Sequence, residues 1–211
     1  MKILIATKNP GKFKEIREML GELEADHGAS FHSPDELGIE GDFDETGETF
    51  EENALGKAQF FAEAAAALGH EGLLTVADDS GIFIEALADE LGLKTRRWGA
   101  GHDASDEDWL AHFMQRMEVE ENRRAKFVCA SALVLPDVAA EDQVFLKETC
   151  GEILRELEVP AKPGIPLSSV FLADGSEAVY AALDIAEKNR LSHRGRAFAE
   201  LLKFLKNSLD G

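Results

Sequence analysis

KILIATKNPGKFKEIREML, residues 2–20, decides the fold class. Lys2–Ala6 is a short apolar run that reads as a buried strand, and Asn9-Pro10-Gly11 is turn chemistry. Behind the turn, Phe13, Ile16, Met19, Leu20 and Leu23 recur at helical spacing, which predicts one helix over Lys12–Leu23. A strand that turns straight into a helix is the opening of an α/β protein.

The remainder of the chain alternates in the same way. Thr46 and Thr49 can each cap a helix over Thr49–Leu68, with Phe50, Ala54, Leu55, Ala58, Phe61, Ala65 and Leu68 as its buried stripe. Leu73–Ala77 reads as a second buried strand that ends in Asp78-Asp79-Ser80-Gly81, and another apolar run, Ile82–Leu87, follows at once. Asp106–Met117 is amphipathic at helical spacing. Lys126–Leu135 and Gln143–Cys150 read as two long strands around a turn at Pro136-Asp137. Pro160–Pro166 is a loop, and Ser192–Leu205 is a last helix facing inward through Phe198, Leu201, Leu202 and Leu205. No fixed-period repeat or low-complexity linker divides the chain. Residues 1–211 are therefore expected to form a single α/β domain.

The 211 residues include 22 Lys+Arg against 41 Asp+Glu, a net charge of −19. That balance excludes a general nucleic-acid binder, which needs an extended basic surface. A small anionic substrate stays open, because a few placed cations can hold one phosphate chain. A hydrophobic share of 45% supplies a sizeable core and excludes a wholly disordered chain. Cys129 and Cys150 lack metal-site spacing and are expected to be buried free thiols, in keeping with a reducing cytoplasm. The one apolar run at the N-terminus is too short for a signal peptide or a membrane span, so no membrane partner is expected.

Four segments carry candidate chemistry. Thr7-Lys8-Asn9-Pro10-Gly11-Lys12 joins strand to helix, where backbone N–H groups can face an anion. Thr7 and Asn9 add neutral donors there, and Lys8 and Lys12 add charge. The spacing matches neither a Walker A loop nor GxGxxG, and an ordinary capped turn is the alternative. Asp78-Asp79-Ser80-Gly81 offers hard oxygen ligands at the end of a buried strand, which suits Mg²⁺, unless it is a solvated acidic turn. In the acidic loop Asp42–Glu45, Asp44 or Glu45 could be a second metal carboxylate, and Asn53 and Lys57 share a face of the helix behind it. Lys188 with Ser192-His193-Arg194 gathers cationic donors at a helix N-terminus, a poor match for the helix dipole unless an anion binds there. No GxSxG, HExxH or nucleophilic Cys signature is present.

Taken together these segments resemble the inosine triphosphate pyrophosphatase family. The matching stretches run in order: Thr7-Lys8-Asn9-Pro10-Gly11-Lys12-Phe13-Lys14-Glu15; Glu45-Thr46-Gly47-Glu48-Thr49-Phe50-Glu51-Glu52-Asn53-Ala54 with Lys57-Ala58; Ala77-Asp78-Asp79-Ser80-Gly81; Arg97-Trp98-Gly99-Ala100-Gly101; and Glu187-Lys188 with Ser192-His193-Arg194. The resemblance implies an α/β fold with an elongated mixed sheet, flanking helices and two lobes around a central cleft. It implies a cytoplasmic homodimer with a nucleoside triphosphate as substrate.

The implied reaction is Mg²⁺-dependent hydrolysis of modified purine nucleoside triphosphates, such as ITP, dITP and XTP, to the monophosphate and pyrophosphate. In that reading Thr7, Lys8, Asn9 and Lys12 hold phosphates, and Asp79 binds metal and aims or deprotonates water. Asp44, or alternatively Glu45, is the other metal carboxylate, while Ser80, Lys188, His193 and Arg194 contact substrate. One segment departs from the family. Where it carries Gly-Phe-Gly-Tyr-Asp-Pro in its base pocket, this chain has Gly164-Ile165-Pro166-Leu167-Ser168-Ser169. An aromatic face becomes Ile165 and a carboxylate becomes Ser168, so an altered base preference, or a nucleotide-binding relative without turnover, stands beside the main reading. Phe171 and Trp98 are the aromatic residues that could stack in place of the missing ring.

Overall fold

The strand-to-helix opening is present in a computed structural model of the chain, which describes residues 1–88, 90–99, 104–136 and 141–209. Strand β1 (Lys2–Ile5) leads to helix α1 (Pro10–Met19). The single helix expected over Lys12–Leu23 is two, because Leu20 closes α1 and Gly21 opens α2 (Gly21–His27). Gly28, at φ 62°, ends α2 in the left-handed conformation that glycine adopts without penalty. Strand β2 (Ser30–His32), too short to register as a pattern, follows. Helix α3 (Phe50–Ala67) starts at Thr49, whose hydroxyl accepts from the Glu52 N–H. Leu68 closes that helix and is exposed rather than part of its buried stripe.

Strand β3 (Leu74–Ile84) corrects the reading of Asp78-Asp79-Ser80-Gly81 as a turn at a strand end. The strand continues through all four residues, with both carboxylates buried. It can do so because charged and amide partners reach them from other elements, as described below. Helix α4 (Asp106–Met117) is capped by Ser105, and strands β4 (Arg124–Val134) and β5 (Gln143–Ile153) lie near their expected places. Strand β6 (Phe171–Ala173), helix α5 (Ile185–Leu191) and helix α6 (His193–Leu209) complete the elements. Asp137, in the expected turn before β5, lies outside the described residues.

The strands form one six-stranded sheet in the order β2-β1-β3-β4-β5-β6. β1 runs parallel to both β2 and β3, with Leu4 opposite His32 and Thr75, whereas β5 and β6 are antiparallel. The α/β class with a mixed sheet and helices is thus as expected. The chain forms two compact units. The first comprises Met1–Asp79, Cys129–Leu146 and Arg196–Gly211; the second comprises Ser80–Val128 and Lys147–Gly195. The first unit buries Ile3, Ile5, Ile16, Leu20, Val76 and Phe198 in a common core. The second buries Ile82, Trp109, Phe113, Phe171 and Tyr180.

Cys129 is buried as expected, but Cys150 is exposed. Alternate β5 residues around Cys150 face outward, and the thiol falls on that side of the period. Among the described residues no helix is long and apolar enough to cross a membrane.

Candidate active site

In the first unit, helix α1, helix α3 and the loop before α3 bring charge to the middle of β3. The Asn9 carboxamide oxygen accepts from the Gly11 and Lys12 N–H groups at 2.9 and 3.0 Å. These two N–H groups are therefore satisfied by the cap rather than presented to an anion. The cap sets the direction of α1, and Lys12 reaches Asp78 at 3.2 Å. Thr7 accepts from the Asn9 N–H and is half-buried, while Lys8 is exposed.

Asp78 and Asp79 are 1% and 6% exposed. Lys57, on α3, donates to the Asp78 carbonyl at 3.2 Å and pairs with Glu45. Asn53, one helical turn earlier on the same face, donates through Nδ2 to Asp79 Oδ2 at 3.0 Å. Its Oδ1 accepts from the Gly47 N–H at 2.8 Å. Asp44 is exposed, so of the two acidic candidates in this loop it is Glu45 that joins the cluster.

The electrostatics follow from burial. Desolvation, and then the Glu45 carboxylate, raise the Asp79 carboxyl above its ordinary value, against the opposing pull of Lys57, Lys12 and Asn53. Burial works to lower the Lys57 pKa, but Glu45, Asp78 and Asp79 together outweigh it and hold the ammonium above its ordinary value. Lys57 is thus a buried cation whose ammonium is held by Glu45 and the Asp78 carbonyl. The donors around it, carboxylates and a carbonyl, are the hard ligands that Mg²⁺ takes.

The second unit holds the remaining candidates. Ser80 accepts from Arg194 Nη2 at 3.3 Å. His193 and Arg194 open α6 and are both buried, and Ser192 caps that helix by accepting from the Gly195 N–H at 3.0 Å. Gly195 has to be glycine, since a Cβ there would lie 1.9 Å from the Asn189 carbonyl oxygen. Lys188 is half-buried on α5, where its carbonyl accepts from the Ser192 N–H at 2.8 Å. The His193 ring stacks on Phe127, with centroids 4.5 Å apart and planes 5° from parallel.

The segment that replaces the base-pocket motif is a short 3₁₀ turn at Pro166–Ser169. Ser168 Oγ donates to the Ile165 carbonyl at 2.6 Å, and Ser169 Oγ to the Pro160 carbonyl at 3.0 Å. Both hydroxyls are engaged by backbone carbonyls earlier in the chain. Phe171 is wholly buried, so it is a core residue and not a stacking surface. Trp98 packs against Phe113 and the core of its unit; Ala100 and Gly101 of its segment lie outside the described residues.

Sequence reasoning saw Asn53 and Lys57 on one face but gave them no role. Phe127 it missed, because an aromatic residue in a strand carries no signal beyond β propensity.

Buried carboxylates in mid-strand, beside lysines from two helices, form a class of site suited to a divalent cation and an anionic ligand. Residues 3–204 match the Ham1 family, and the chain belongs to it. It is 39% identical over 216 residues to the dITP/XTP pyrophosphatase of Symbiobacterium thermophilum, spanning 99% of this chain and 97% of that one. Among solved structures, a HAM1 protein from Coxiella burnetii is similar at a TM-score of 0.77 and 31% identity, covering 98% of this chain and 99% of that one. The nucleoside-triphosphatase / dITP/XTP pyrophosphatase of Mycobacterium abscessus is similar at a TM-score of 0.62 and 34% identity, covering 96% and 99%.

Proposed function

We propose that this chain hydrolyses modified purine nucleoside triphosphates, dITP, ITP and XTP among them, to the monophosphate and pyrophosphate with Mg²⁺. The observation that carries the reading is the cluster in which the buried Asp78 and Asp79 meet Lys12, the buried Lys57 and Glu45. Family membership and the relatives' activity support it.

In this mechanism Glu45 and Asp79 would hold the metal, and Glu45 is preferred to Asp44 because it lies in the cluster. When bound, Mg²⁺ neutralises phosphate charge and polarises the phosphoryl oxygens. Thr7, Lys8, Asn9 and Lys12 bind phosphates, with Asn9 acting through its Nδ2, since its oxygen caps α1. Asp79 aims a water at the α-phosphorus and takes its proton, as a carboxylate within hydrogen-bond reach of the water can. The bond from the α-phosphorus to the bridging oxygen breaks, and pyrophosphate leaves. Ser80, Lys188, His193 and Arg194 contact substrate. The same reading takes residues 1–211 as one catalytic domain of a cytoplasmic homodimer.

A second reading, within the same chemistry, is an altered base preference. It is favoured by Ser168 and Ser169, whose hydroxyls are engaged by backbone carbonyls and supply no carboxylate to a purine edge. Pyrophosphate release from a panel of purine and pyrimidine nucleoside triphosphates, with Mg²⁺ and with chelator, tests both readings. Mg²⁺-dependent release favouring dITP and XTP is expected. Preference for another base supports the second reading, and binding without release contradicts both.

A further inference from the structure

Asn53 is 2% exposed, and its carboxamide is used at both ends. Nδ2 donates to Asp79 Oδ2 at 3.0 Å, and Oδ1 accepts from the Gly47 N–H at 2.8 Å. Gly47 lies two residues after Glu45, so one amide ties the loop that carries Glu45 to the carboxylate of Asp79. The closeness of that link explains the glycine. A Cβ at position 47 would lie 2.7 Å from Asn53 Oδ1 and 2.9 Å from Glu52 Cβ. The same loop has a second anchor that does not touch Asp79: Glu52 accepts from the Glu48 N–H at 2.7 Å.

We propose that Asn53 is a positioning residue that sets Glu45 and Asp79 in register for one divalent cation. The inference rests on the reading of those two carboxylates as metal ligands. A neutral amide suits the task chemically, because it fixes one Asp79 oxygen without adding charge to the cluster. Partners of this kind behind ligating carboxylates orient the ligands, and losing one typically weakens metal binding about 10- to 100-fold.

The test is direct Mn²⁺ binding to the nucleotide-free protein, by calorimetry and by the spin-resonance signal of the ion. The proteins are wild type, Asn53→Ala, Gly47→Ala, the double variant and Glu52→Ala. The expected result is Mn²⁺ affinity roughly 10-fold or more weaker in Asn53→Ala and in Gly47→Ala. The double variant should be no weaker than the worse single one, since both act through one link. Glu52→Ala, which loosens the loop without touching Asp79, should bind Mn²⁺ close to wild type.

Asn53→Ala at wild-type affinity overturns the proposal. So does an equal loss in Glu52→Ala, which would make the effect one of helix capping. If Asn53→Ala does not fold, Gly47→Ala against Glu52→Ala decides. Wild type that binds no Mn²⁺ overturns the metal reading itself, which is a separate failure. Under saturating Mg²⁺, Asn53→Ala should lower kcat and leave KM for nucleotide near wild type.

Discussion

The middle of β3 and the turn at Pro166–Ser169 solve opposite problems. In the first, buried charges are held open to chemistry: Asp78 and Asp79 take Lys12, Lys57 and Asn53 as partners from two different helices. In the second, polar groups are closed off, with Ser168 and Ser169 donating to carbonyls nearby in the chain. Buried charge is tolerated only where each ion has a partner, so the first region constrains many residues at once. The second places no charge to be balanced, and its two hydroxyls are engaged by the nearby Ile165 and Pro160 carbonyls. On the proposed reading, the residues assigned to phosphate and metal match the pattern that the resemblance implies, while Gly164–Ser169 departs from it.

The largest effect that would break this contrast is at Asp79. Asp79→Asn should lower kcat by about 10²–10⁴-fold with the fold intact, as loss of a positioned base does. Turnover near wild type would remove Asp79 from the mechanism.

Next is Lys57→Met, which leaves three carboxylates around a lost cation. Breaking a buried ion pair from one side costs about 3–5 kcal/mol. Denaturant unfolding should show that loss in chelator and a smaller one in Mg²⁺, which can replace the missing charge. Equal losses in both would mean that Lys57 does not share its carboxylates with the metal.

A third prediction concerns pH. Because burial and Glu45 raise the Asp79 pKa in the folded state, the folded protein holds that proton more tightly than the unfolded chain. The group's contribution is favourable below its unfolded pKa and is lost as pH rises through the raised value. In chelator, Asp79→Asn should therefore melt higher than wild type near neutral pH, with the gap closing below about pH 4. A gap that does not change with pH would contradict the assigned cause.

The smallest effects belong to the second unit. Arg194→Ala should lower kcat/KM by roughly 10-fold, the scale of one hydrogen bond to a charged group. Ser80→Ala, which removes a hydroxyl that accepts from Arg194 but leaves the guanidinium in place, should change it less. A profile unchanged across nucleotides in Arg194→Ala would leave that residue as a helix-opening one only.

Much of this was legible in sequence for a physical reason. A strand buried on both faces leaves an apolar run, as Lys2–Ile5 does, and a helix that buries one face leaves a period, as Phe50–Ala67 does. The break at Leu20, the short strand Ser30–His32 and the helix Ile185–Leu191 are too local to leave one. The continuation of β3 through two aspartates was hidden because its support comes from Lys12, Asn53 and Lys57, tens of residues away. Glu45 could not be told from Asp44 by spacing alone. Its partnership with Lys57, twelve residues on, separates the two. The other candidate segments stood out by residue type beside a turn, a strand or a helix start, and their order along the chain, which resembles a family, gave them roles; their geometry left no mark in the sequence.

The most direct test of the account is hydrolysis of dITP in heavy-oxygen water with Mg²⁺, with the products resolved by phosphorus NMR and mass spectrometry. The account predicts one pyrophosphate for each monophosphate, with the heavy oxygen on the monophosphate, because Asp79 aims water at the α-phosphorus. Heavy oxygen in the pyrophosphate, or release of orthophosphate with a diphosphate left behind, would contradict it.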